Sequence, residues 1–202
     1  MTADVVNHHA DHPGFAGVTG LLVGLIMSLA GGAVARLAAD LVSVADADRV
    51  VDVGCGPGTA VREAARRGAR VIGVDPAPVM LRLARTLTPN RPAITWAEGA
   101  AEDLRQPDAS VTVVWSLATV HHWRDVTAGL AEIKRVLAPG GRFLAIERRV
   151  CSGATGLASH GWTAQQAESF AAQCLAAGFT DVRVENHTPG RRALAVVRAV
   201  RP

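Results

Sequence analysis

Tyrosine is absent from the 202-residue chain, lysine occurs once, at Lys134, and phenylalanine and tryptophan occur four times each. Nucleic-acid surfaces rely on basic runs interleaved with stacking aromatics. Here the remaining 20 of the 21 cations are scattered arginines and the formal charge is only +3, so no nucleic-acid partner is expected. Cysteine is scarce: Cys55, Cys151 and Cys174 are odd in number and irregularly spaced, which excludes a disulfide framework and fits a reduced, cytoplasmic compartment. No His/Cys pair has metal-ligand spacing, so no metal site is expected; His8, His9 and His12 read as a polar surface arm. No cationic stretch precedes an apolar core at the N-terminus, which argues against a secretory signal. Polar low-complexity tracts are also missing, and with 49% apolar and 19% charged residues the chain reads as folded.

The one long uncharged run, 15–35, approaches the length of a membrane span. Glycines at 17, 20, 24, 31 and 32, with Thr19 and Ser28, break it up. It is therefore expected to form one or two apolar helices ending near Val44, serving as a lid over a pocket or as a homodimer contact. Two units follow: an arm over 1–44 and a catalytic or binding body over 45–202.

What organises the body is V-V-D-V-G-C-G-P-G-T-A-V, 50–61. A β-rich run enters a loop with Gly54, Gly56 and Gly58, and a helix opens at Thr59. Glycines let a ligand approach the backbone closely, and a helix N-terminus offers unpaired N–H groups. Strand and helix then alternate. Helices are expected over 59–67, 78–87 and 126–137, and strands over 69–74, 93–97, 110–115 and 141–147. That alternation is the unit of a doubly wound α/β sheet. After a helix at 163–177, two β runs (179–186 and 191–200) flank the turn residues His187-Thr-Pro-Gly190, which predicts a closing antiparallel hairpin.

Together, V-D-V-G-C-G-P-G (51–58), G-V-D-P (73–76), S-L-A-T-V-H-H-W (116–123) and L-A-P-G-G-R-F (137–143) resemble the motifs of class I S-adenosylmethionine-dependent methyltransferases. The likeness runs over about 45–200 and is nearest the small-molecule branch that includes quinone-biosynthesis enzymes. It implies a Rossmann-like seven-stranded sheet, mostly parallel, with S-adenosylmethionine as cofactor and a small organic methyl acceptor. Dinucleotide-binding loops read G-x-G-x-x-G, whereas this one reads G-x-G-x-G with Asp52 two residues ahead.

By that resemblance, Gly54, Cys55, Gly56 and Gly58 border the amino-acid and ribose parts of the cofactor, and Asp52 holds its ammonium. Asp75 accepts from the ribose hydroxyls, and Pro76 and Met80 pack near the adenine. Trp115, Ser116 and Leu117 line the methionine side. At the adenine edge the family commonly has an acid where this chain has Ala100. The exocyclic amine is then left to water, a backbone carbonyl, Glu102 or Asp103, while the Ala101 N–H can serve the ring. His121 and His122, after the fourth strand, are the candidate catalytic or acceptor-binding residues, and Glu147 at the end of the fifth strand shares their rim. The rival readings are a module that binds the cofactor without turnover and an NAD-type oxidoreductase.

Overall fold

The computed structural model describes residues 5–10, 31–190 and 192–202. Its sheet has seven strands in the order β3-β2-β1-β4-β5-β7-β6. These are β1 (Arg49–Val53), β2 (Arg70–Asp75), β3 (Ile94–Glu98), β4 (Val111–Leu117), β5 (Leu137–Arg148), β6 (Thr180–His187) and β7 (Leu194–Val200). Pairing is parallel from β3 through β5, and β7 runs antiparallel between β5 and β6. The expected doubly wound sheet with a terminal hairpin is what forms. The central strands are buried on both faces, as parallel strands covered by helices must be, so they read as near-continuous Val/Ile/Leu runs.

Helices α1 (Gly32–Leu41), α2 (Thr59–Arg66), α3 (Pro78–Leu87), α4 (Val126–Val136) and α5 (Ala164–Ala176) cover the sheet. On one face Ala35, Ala38 and Ala39 of α1 and Val61 and Ala64 of α2 pack with Trp115, Leu144 and Ile146. On the other, Leu130 and Ile133 of α4 and Phe170 of α5 pack with Phe143, Trp162 and Phe179. Local chemistry fixes the helix starts: Asp125 accepts from the Ala128 N–H, and Thr163 with Gln166 forms a reciprocal capping box.

Most element ends fall within a few residues of the sequence expectation. The main departure is β5, which begins at Leu137 because Leu137 pairs with Val111 before a register shift brings Arg142 opposite Val113. Of the apolar arm, 11–30 lies outside the described residues. Its C-terminal end is α1, a core helix. Among the described residues no helix is long and apolar enough to cross a membrane. Residues 5–10 join the body: Val6 is buried in the α4/α5 core, its carbonyl accepts from the Trp162 indole (2.9 Å), and the Val5 carbonyl accepts from Gln166 (2.8 Å).

The strand order reverses between β1 and β4. A crevice opens there at the carboxyl ends of an α/β sheet, and the site is built there.

Candidate active site

β1 delivers Asp52 and the glycine loop, β2 delivers Asp75, β4 delivers Trp115 to Leu117, and β5 delivers Glu147. The loop folds back on β2: the Gly54 and Cys55 N–H groups both donate to the Val74 carbonyl, and Asp75 Oδ2 accepts from the Gly56 N–H at 2.8 Å. Asp75 Oδ1 accepts from the Ala77 N–H at the same distance, which helps start α3. Each carboxylate oxygen keeps a second lone pair for an incoming hydroxyl. Gly54, Gly56 and Gly58 all have positive φ. A side chain at Gly54 would strike Thr119, and one at Gly58 would fall 2.2 Å from the Trp96 indole, so the neighbouring protein also demands these glycines.

Asp52 and Asp75 are both buried, and among the described residues neither has a cationic partner. Burial, then the charge of Asp75, pushes the Asp52 carboxyl up to about 8. The Trp115 indole N–H acts in the other direction without closing a hydrogen bond of normal geometry. Burial likewise raises Asp75, against the pull of its two backbone donors. Two buried acids that lack a cation create a local demand for a positively charged ligand. The Cys55 thiol is pushed well up by burial and by the same two acids, and it packs into the α1/α2 core, so its share in a ligand contact falls to its backbone. Met80 is fully buried, and the Ser116 hydroxyl is tied to Thr119 Oγ1 at 2.5 Å, with Thr119 donating to the Val53 carbonyl.

A cavity of about 520 Å³ lies beside these acids, lined by Pro76, Glu98, Gly99, Ala100, Asp103 and Arg105. Two of the residues expected near an adenine, Pro76 and Ala100, line it. Glu102 is engaged elsewhere: its Oε1 accepts from the Arg124 and Asp125 N–H groups at 2.9 Å each, ahead of α4. Two acids line this cavity, Glu98 and Asp103, the latter held by Arg105 at 2.9 Å. Ala101 is buried, beside Trp123 at α4.

On the other side of the loop, a short 3₁₀ turn (Val120–His122) leaves β4 through Ala118, which has positive φ. His121 is 2% exposed, and its Nδ1 lies 2.8 Å from Oε2 of the fully buried Glu147. A carboxylate can only accept, so Nδ1 carries a proton. The other ring nitrogen, Nε2, is buried without a hydrogen-bond partner among the described residues. Burial, then the neighbouring His121, pushes His122 down to about 4. The arm closes over this pair: the His9 N–H donates to the His121 carbonyl, and the His122 ring faces the His9 carbonyl at 3.3 Å. His160, from the connection after β5, stacks on His9 with ring centres 4.2 Å apart.

A family model described as a methyltransferase domain matches residues 51–145, the stretch that supplies every strand end just described except Glu147. Over this stretch, just under half of its length, the chain is similar to a methyltransferase domain. The demethylmenaquinone methyltransferase of Tropheryma whipplei is 35% identical over 112 residues, covering 55% of this chain and 46% of that protein. The chain thus matches under half the length of this relative. Solved structures of lower identity agree on the fold. A putative methyltransferase in complex with the Trm112 methyltransferase activator of Haloferax volcanii superposes with a TM-score of 0.76 (23% identity, 89% of this chain and 94% of that one). An S-adenosylmethionine-dependent methyltransferase of Mesorhizobium loti gives 0.69 (21% identity, 86% and 100%).

The likeness implies S-adenosylmethionine as cofactor, and the residues present fit it. It carries a sulfonium and an ammonium, and Asp52 and Asp75 are buried acids without a cation among the described residues. Sequence reasoning missed Trp96, Thr119 and His160. Trp96 and Thr119 follow from the glycines they meet, which a sequence shows without showing the partner. His160 lies 38 positions beyond His122 in a Gly/Ser/Ala connection, and no local spacing marks it.

Proposed function

We propose that the chain transfers a methyl group from S-adenosylmethionine to a small organic acceptor seated at the β4/β5 rim. The observation that carries this is the pair of buried acids, Asp52 and Asp75, which have no cationic partner among the described residues at the mouth of the glycine loop. The cofactor supplies a methyl group on a sulfonium whose departure leaves a neutral thioether, so the protein has chiefly to position and desolvate. Asp52 would hold the ammonium and Asp75 the ribose hydroxyls. Pro76 with Ala100 and Asp103 would border the adenine. His121 and His122, with Glu147 behind them, border the acceptor, and residues 5–10 exclude water from it. This roof is the chain's own segment, since the connection after β5 is short. The free thiols favour a cytoplasmic setting.

The likeness to a demethylmenaquinone methyltransferase makes a reduced quinone the first acceptor class to try. Purified protein with S-adenosylmethionine and a short-chain demethylmenaquinol should form S-adenosylhomocysteine and a methylated product. Micromolar cofactor binding without turnover across quinol, phenol, amine and carboxylate acceptors would instead favour a cofactor-binding module. Binding of NAD in preference to S-adenosylmethionine would overturn both.

A further inference from the structure

We infer that His121, His122 and His160 form a binding site for one divalent transition-metal ion of the zinc type. One ring nitrogen from each lies within 4.8 Å of the other two. Folding brings them together from the β4 exit and from the connection after β5, which is why spacing in the sequence gives no sign of a metal site.

Three further observations point to a ligand. His121 Nε2 is a buried polar atom without a partner among the described residues, in a ring whose other nitrogen is fixed on Glu147. A carboxylate behind a ligating imidazole fixes the tautomer that leaves the lone pair available and strengthens it as a donor. His122 has the same arrangement: its Nδ1 faces the His9 carbonyl at 3.3 Å, and a carbonyl can only accept, so the lone pair again falls to Nε2. The rings of His121 and His122 lie 4.1 Å apart and each is 5.5 Å from His160, a triangle with a common centre. Metal–nitrogen bonds of about 2.0–2.1 Å need tetrahedral nitrogens roughly 3.3 Å apart, so an ion would draw together nitrogens that already lie within 4.8 Å of one another.

The donor set is three imidazoles with no thiolate and no direct carboxylate. That chemistry selects zinc, cobalt, nickel or copper over calcium or magnesium, which prefer oxygen. Three protein ligands leave a fourth position open, the arrangement of a site that also takes an exogenous ligand. His9, held on Ser159 Oγ at 3.0 Å and stacked on His160, walls the cluster from the arm side.

The test uses the full chain without an affinity tag, stripped with chelator and titrated with Zn²⁺ against a chromophoric competitor. Wild-type protein should bind one ion per chain, and Co²⁺ in its place should give the visible ligand-field bands of a nitrogen-rich tetrahedral site. Glu147→Gln should weaken Zn²⁺ binding about 10–100-fold. His160→Ala and His122→Ala should weaken it more than that. His187→Ala, a substitution on β6 at a histidine paired with Glu185, should leave it unchanged. S-Adenosylhomocysteine affinity, measured on the same samples, reports whether each variant is folded. Absence of Zn²⁺ binding and of Co²⁺ bands in the wild type would overturn the site. So would equal Zn²⁺ affinity in the wild type and folded His160→Ala.

Discussion

Asp52 illustrates how one residue ties folding to ligand binding. Its carboxyl titrates near 3.9 in an unfolded chain and is pushed up to about 8 in the folded one. Between those values the folded protein holds a proton that the unfolded chain has lost, so its contribution to stability falls as pH rises through that window. A bound ammonium reverses the preference, since it needs the carboxylate. Cofactor binding should therefore expel a proton below pH 8. Affinity should climb with pH between 6 and 8 and flatten above. Calorimetry in buffers of differing ionisation enthalpy measures the proton directly. Asp52→Asn should lower affinity roughly ten- to hundredfold, the range for a hydrogen bond to a charged group, and should abolish the proton release. Proton release that persists in the Asn variant would assign the titration elsewhere. At Ala100, a missing acid leaves an amine to other partners. Ala100→Asp should tighten cofactor binding several-fold, because a satisfied buried donor is worth about 1 kcal/mol. Unchanged affinity would count against an unmet need at the amine.

At the scale of elements, β3 and the arm hold what the sequence did not reveal. The Trp96 indole lies across the glycine loop and β2, where a methyl at Gly73 would come within 2.6 Å of the ring and 3.0 Å of the Cys55 thiol. Gly73→Ala should cost about 1–3 kcal/mol in urea unfolding, as overpacking does, and Trp96→Val in the same chain should recover much of it. An additive double variant would mean that the ring yields freely. For the arm, a deletion must respect α1, whose Ala35, Ala38 and Ala39 are core residues; removing 1–40 would unfold the α1/α2 face. Removing 1–10 leaves α1 intact and takes away Val6, the carbonyls that accept from the Trp162 indole and Gln166, and the His9 contacts to His121, His122 and Ser159. The cost is a few kcal/mol, on the order of 1 kcal/mol per hydrogen bond. Acceptor turnover should then fall sharply while S-adenosylhomocysteine affinity stays within a few-fold. Undiminished turnover would remove the roofing role of residues 5–10. The strands and helices of the body were legible because burial periodicity is local. The docking of residues 5–10 was not, since Val6 meets Trp162 across 156 positions of chain and nothing near either residue encodes that meeting.

For the molecule as a whole, the legible part is the half that repeats. Alternating apolar runs and glycine-closed helices specify a wound sheet, and the closing hairpin specifies its hand-over to antiparallel pairing. The cofactor side then follows from strand ends, because a doubly wound sheet brings the carboxyl ends of its parallel strands to one edge on both sides of the β1/β4 switch point. The acceptor side gathers His9, His121, His122 and His160 by tertiary folding, with Glu147 from a different strand, so its composition was visible and its assembly was not. The same whole-molecule view gives a test that separates the cofactor classes. A ligand that binds only the folded state adds RT ln(1 + [L]/Kd), about 2.7 kcal/mol at a hundredfold excess over Kd. For a chain of this length that raises Tm by roughly 5–10 °C. S-Adenosylhomocysteine, which keeps the ammonium and lacks the sulfonium, should give such a shift, and NAD at the same excess over a micromolar Kd should give none. Because Asp52 must lose its proton first, the shift at a fixed ligand concentration should be smaller at pH 6 than at pH 8. A shift with NAD alone, or one that grows toward acid pH, would contradict the assignment of the two buried acids to a cationic ligand.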